Sequence, residues 1–237
     1  MFTPEERTAL RASLLDRARA DDRISGAAIT GSTASDSEDQ WSDIDLAFGV
    51  REMDAVLADW TAHLYAAHGA VHHVDVHAGP WLYRVFLLSN TLQIDLAFVP
   101  AEEFRALGPT FRLAFGTANE PRHIPPPDPA GLIGYAWLHA LHARSSIARG
   151  KFWQAEYMIS GLRDYALAVA CVRHGLPSVH GRGMDQLPRE VTARFEGSLV
   201  ARLDADHLTQ AFRVALSGLI EEAPPNLKET LRRLGEF

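Results

Sequence analysis

The sequence predicts an α+β protein: a small mixed β-sheet with flanking helices over residues 1–126, followed by a C-terminal helical bundle over residues 127–237. Three observations carry this. The phrase Ile-Asp-Leu-Ala-Phe occurs twice, at 44–48 and 94–98, inside runs with the two-residue alternation of strands. Residues 116–128, GTANEPRHIPPPD, hold four prolines. Neither a helix interior nor a central strand accommodates them, so the domain boundary is placed there. Beyond that stretch the apolar residues recur at helical spacing.

Taken in order, TPEE starts a helix, with Thr3 as cap, Pro4 in the first turn and acids behind it. GAAIT (26–30) reads as a short strand, GSTASDSEDQWS (31–42) as a polar loop and DIDLAFGV (43–50) as a strand. Residues 52–69 have helical spacing and stop at Gly69. Three further strands, 71–78, 81–89 and 91–99, are separated by Gly79-Pro80 and Ser89-Asn90, the chemistry of an antiparallel meander. In the second half, a helix over 129–149, a stop at Gly150 and a helix over 151–174 make an αα-hairpin, and two or three more helices fill 187–236.

Composition narrows the function classes. With 23 basic and 30 acidic residues the net charge is −7, which argues against a general nucleic-acid surface. No apolar run approaches a membrane span, and the charged N-terminus lacks the apolar centre of a signal peptide. Cys171 is the single cysteine, which excludes an intrachain disulfide and fits a reducing, cytoplasmic setting. Its neighbours Ala170 and Val172 make it a buried structural thiol.

The repeated phrase raises a question, because an acid inside an apolar strand is costly unless it faces outward or meets a cation. Residues i and i+2 share a strand face, so Asp43 and Asp45 project together while Ile44, Leu46 and Phe48 pack on the other side. Asp95 likewise opposes Ile94, Leu96 and Phe98. If the two strands are neighbours, three carboxylates converge and repel one another. A divalent cation with a preference for oxygen, such as magnesium, removes that conflict and leaves positions for phosphate. Gly31-Ser32 directly follows a strand and suits close approach of a phosphate to the backbone.

Gly-Ser, ten intervening residues, Asp-x-Asp and a later strand Asp resemble the DNA polymerase beta-type nucleotidyltransferase superfamily, on Gly31, Ser32, Asp43, Asp45 and Asp95. A small sheet domain followed by helices is similar to the aminoglycoside and lincosamide nucleotidyltransferases. The resemblance implies transfer of a nucleoside monophosphate, AMP from ATP, to a hydroxyl of a small acceptor, with pyrophosphate leaving. It implies two Mg2+ ions bridged by Asp43 and Asp45, with Asp95 on the nucleophile side. Gly31, Ser32, Ser42 and Lys151 are the candidate nucleotide-binding residues, and the helical half is expected to close over the site. Two rivals stand beside this: a nucleotidyltransferase whose acceptor is a protein side chain, as in toxin-neutralising relatives, and a nucleotide-binding regulatory module without turnover. A homodimer is left open.

Further candidates have plainer readings. Glu156, Ser160 and Arg163 share a helical face, so Glu156 is either a general base or half of a buried Glu–Arg pair. Glu102 and Glu103 are rival bases. His73, Asp75 and His77 share a strand face, with His72 beside them, but lack the cysteines of a structural zinc site. His139 and His142 read as core edge or cleft lining. Trp41 and Trp153 suit stacking on a base or sugar, with packing as the default expectation.

Overall fold

Thr3 opens the first helix, α1 (Pro4–Arg19), with a reciprocal cap: its hydroxyl accepts from the Glu6 amide at 3.2 Å while its own amide donates to the Glu6 carboxylate at 2.8 Å. The structure, a computed structural model, describes residues 1–122 and 124–237. These fall into two compact units, Met1–Ile124 and Pro125–Phe237.

In the first unit α1 is followed by β1 (Ile24–Thr30), a single helical turn α2 (Gly31–Ala34), β2 (Ile44–Val50), α3 (Met53–Ala67), β3 (Ala70–Ala78), β4 (Trp81–Leu88), β5 (Gln93–Pro100) and β6 (Phe111–Gly116). Among the described residues these six strands form one sheet in the order β3-β4-β5-β2-β1-β6. β3, β4 and β5 are the expected antiparallel meander, and β2 pairs with β5 in parallel. The sheet is therefore mixed, and it is followed by helices, as the pattern predicted.

The repeated phrase turns out to pair with itself. Ile44 lies opposite Ile94, Asp45 opposite Asp95, Leu46 opposite Leu96 and Phe48 opposite Phe98. Ile, Leu and Phe of both copies are fully buried. They face α1 and α3, where Trp60 packs its ring 4.8 Å from Phe48 and 6.4 Å from Phe98. Full burial of each such side chain stabilises the unit by about 1.5–3 kcal/mol. Parallel pairing lets identical phrases present identical faces, so one helix layer covers both.

The opposite face carries small residues beyond the acids: Ala28, Ala47 and Ala97. Phe104, which follows a short 3-10 turn at Ala101–Glu103, covers the far end of this face. Its ring sits so close over Gly26 and Gly49 that a Cβ at either would press on it. The end carrying the acids is not covered by this plug.

Three details depart from the sequence reading. Asp43 stands one residue before β2 rather than within it. The loop after β1 begins with the turn α2. β6 had no sequence signal: it is an edge strand of six residues pairing with β1 across a bulge between Ala27 and Ala28, and none of its residues is buried. A short strand at an edge needs no alternation strong enough to read.

In the second unit, Asp128 caps α4 (Pro129–Ala148), accepting from the amides of Ala130 and Gly131. Gly150, at φ 66°, makes the turn into α5 (Phe152–Arg173). The two helices pack closely enough that a Cβ at Gly161 would strike the His139 ring. His139 also lies against Tyr165, which makes it a core-edge residue. After a 3-10 turn come α6 (Arg189–Thr192), then α7 (Ala205–Glu222), which adds Leu208, Phe212, Leu216 and Leu219 to the core, and α8 (Pro225–Leu234). Cys171 is fully buried in that core, and burial pushes its thiol pKa up. Among the described residues no helix is long and apolar enough to cross a membrane.

Candidate active site

Parallel register places Asp45 directly beside Asp95 on the open face, and Asp43 stands two residues before Asp45 on the same side. Each of the three offers a carboxylate oxygen within 4.8 Å of the others, and all three are partly exposed. Two unit charges at such a spacing repel by about 1 kcal/mol in water and about 4 at an effective dielectric of 20. Among the described residues no other group of His, Cys, Asp or Glu converges in this way. An oxygen-only donor set without Cys or His suits a hard cation such as Mg2+ or Mn2+.

Gly31 shapes the approach to Asp45. Its φ of 63° is the left-handed region, and an added Cβ would collide with the Asp45 carboxylate. The missing side chain leaves room for the Asp45 carboxylate to pack against the turn, and the three convergent carboxylates are the donor set that fits a hard cation. Gly31→Ala is expected to cost about 1–2 kcal/mol from the left-handed backbone alone and to displace Asp45. Urea unfolding and Mn2+ titration check this; an alanine variant with unchanged Mn2+ affinity would contradict it.

The loop between Gly31 and Asp43 is held from α1. Arg7, only 3% exposed, donates to the carbonyls of Asp39 at 2.6 Å and Ser42 at 2.9 Å. Its Nε lies 2.8 Å from Glu38 Oε1, an ionic contact without hydrogen-bond alignment. Arg11, one turn later on the same helix face, donates to Glu38 at 2.5 and 3.3 Å and to the Thr33 hydroxyl at 3.1 Å. Burial alone would raise the Glu38 pKa; the Arg11 hydrogen bond and the charges of Arg11 and Arg7 outweigh it and hold the carboxyl below its ordinary value. Stability from a lowered carboxyl is fully present above its unfolded pKa and is lost as pH falls through the folded one. Glu38→Gln is therefore expected to flatten the acid side of the stability profile, measured by urea unfolding across the carboxylate range. An unchanged acid slope would refute it.

Ser42 is occupied within the loop: its hydroxyl donates to Asp39 Oδ1 at 3.0 Å and accepts from the Asp39 amide at 2.9 Å. The Ser32 carbonyl accepts from the amides of Ser35 and Ser37. Lys151 is exposed at the start of α5, and its amide donates to the Ser146 carbonyl at 2.9 Å. Glu156 accepts from the Ser160 hydroxyl at 2.7 Å. The alternative of a Glu156–Arg163 pair is corrected: Arg163 contacts Asp164 and the Ser198 carbonyl instead. The tryptophan default is corrected too. Trp41 is 71% and Trp153 78% exposed, because neither projects toward its unit's core. Trp41 borders a hollow of about 310 Å³ with Phe2, Pro4, Gln40 and Thr91. On β3, Asp75 is held by Arg84 at 2.7 and 2.6 Å, and the His73 ring lies 3.0 Å from the Tyr65 hydroxyl.

Two sets of residues escaped the sequence reading. Arg7 and Arg11 carry the i, i+4 spacing of one helix face, but their target lies across the fold. Gln93 precedes Asp95 by two and so shares its face; its Nε2 donates to Asp43 Oδ2 at 3.1 Å and Asp95 Oδ1 at 2.9 Å.

Fold and site together define an α+β protein with a three-carboxylate candidate cation site on the open face of a mixed sheet. No protein-family model matches the chain, and no curated protein matches it significantly. Among solved structures it is similar to an aminoglycoside 6-adenyltransferase from Bacillus subtilis, at 12% identity and a TM-score of 0.43, over 100% of this chain and 98% of that one. It is also similar to a nucleotidyltransferase-like protein from Exiguobacterium sibiricum 255-15, at 16% identity and a TM-score of 0.38, over 97% and 76%.

Proposed function

We propose that the protein is a metal-dependent nucleotidyltransferase that moves a nucleoside monophosphate, AMP from ATP, onto a hydroxyl of a small molecule such as an aminoglycoside or lincosamide. The observation that carries this reading is the meeting of Asp43, Asp45 and Asp95 on one sheet face beside the glycine turn at Gly31. Divalent cations held there would draw in phosphate oxygens and offset the charge that builds on them during transfer. Asp43 and Asp45 would serve both ions, and Asp95 the ion nearer the attacking hydroxyl. Gly31, with no side chain, lets the phosphate tail approach the backbone, and the Ser32 hydroxyl is a donor to it.

In the transfer, the acceptor oxygen bonds to the α-phosphorus, the bond from that phosphorus to the bridging oxygen breaks, and pyrophosphate departs. The acceptor's proton passes to a general base as the new bond forms. The test is incubation of the pure protein with labelled ATP, Mg2+ and a panel of aminoglycosides, lincosamides and candidate proteins. Pyrophosphate release that depends on one small hydroxylated acceptor supports the proposal. Release that depends on a protein would move the acceptor class, and nucleotide binding without release under any condition would overturn the enzyme reading.

A further inference from the structure

We infer that Gln93 is a positioning residue for the cation site: a neutral amide that sets the spacing of Asp43 and Asp95 before an ion arrives. This rests on the proposed metal dependence and goes beyond it in naming a residue that holds the acids without ligating the ion. Gln93 opens β5 at the register step that faces Asp43 across the parallel pair, because Ile94 lies opposite Ile44. From there one NH2 group reaches both acids, at 3.1 and 2.9 Å. The orientation is dictated by charge, since the amide oxygen turned the same way would face two anions.

The choice of a neutral donor has a physical consequence. An Arg or Lys at this position would also hold the acids, but its charge would stand in for the cation and compete with it. An amide ties down one oxygen on each of two carboxylates while leaving their negative charge intact. Part of the repulsion between the acids is offset by the two hydrogen bonds. Partners that orient ligating side chains typically govern metal affinity by 10–100-fold. Gln93 is exposed, so its removal disturbs little packing.

The test uses Mn2+ alone, titrated into the full-length protein and followed by the electron paramagnetic resonance signal of free Mn2+. Gln93→Met keeps the length and removes the donors, and is expected to weaken Mn2+ binding about 10-fold or more. Gln93→Glu keeps the shape, and it is expected to behave differently from Gln93→Met because it adds a fourth charge. Thermal midpoints in EDTA should stay close to wild type for the Met variant. A residue with a merely structural role would shift those midpoints and leave the two variants alike in affinity. Wild-type affinity in Gln93→Met, with binding abolished in Asp45→Asn, would overturn the Gln93 role alone. Failure of the wild-type protein to bind Mn2+ would overturn the cation site and the Gln93 role with it.

Discussion

Asp45→Asn is expected to lower the proposed nucleotide transfer by about 10³-fold or more while leaving the fold intact. Loss of one carboxylate from the cation site removes several kcal/mol of charge stabilisation from the transition state, and about 4 kcal/mol corresponds to that factor. The fold survives because Asp45 projects to the open face, while its neighbours Leu46 and Phe48 supply the burial on the other side. Removing one of three mutually repelling charges also costs the apo protein little. Two measurements follow. Single-turnover transfer, with whichever acceptor the panel assay yields, reads the rate. Thermal unfolding with and without Mg2+ reads the site directly, because a ligand that binds the folded state alone raises its stability. Wild type should gain stability from Mg2+ and the Asn variant should not. A variant with near wild-type rate and an undiminished Mg2+ response would remove Asp45 from the site.

The second large effect is on stability. Arg7→Ala is expected to cost the first unit about 3 kcal/mol, the lower end of what loss of one partner from a buried ion pair brings. Arg7 is nearly inaccessible and its partner Glu38 is 19% exposed, so little solvent is available to replace the contact. The change also removes the Arg7 donor from the carbonyls of Ser42 and Asp39, of which Asp39 keeps the Ser42 amide at 3.3 Å. Arg11 continues to neutralise Glu38, which is why the upper end of the range is not expected. Hydrogen exchange should show the loss first in the loop from Ser32 to Ser42. Arg7→Lys should not rescue it, because one ammonium cannot reproduce a planar fork that reaches three oxygens. Wild-type protection of the loop in Arg7→Ala would show that the loop is held by something else.

Much of the first unit is legible because its signals are local. The alternation in both Ile-Asp-Leu-Ala-Phe copies states which residues pack and which face away, and Trp60 over Phe48 and Phe98 is the packing that results. Thr3 announces a helix start through a side chain that reaches its own first turn. The Trp41 and Trp153 expectations failed because aromatic character says that a side chain can be buried, not that its position points inward. β6 was invisible since an edge strand is under little obligation to alternate. Glu156 and Arg163 share a helix face, yet each found a different partner.

What the amino-acid order determined alone was the set of faces: a two-residue period puts Asp43 with Asp45 and sets Asp95 against its apolar neighbours, whatever lies alongside. Only the tertiary structure decided that β2 and β5 are neighbours, that they run parallel, and that their register sets Asp45 level with Asp95. It alone brought Gln93 across to Asp43 and carried Arg7 and Arg11 to Glu38. The physical reason is range. Side-chain direction is set by backbone geometry within a few residues, whereas contact between residues fifty positions apart depends on strand order and register, which the whole buried core selects together.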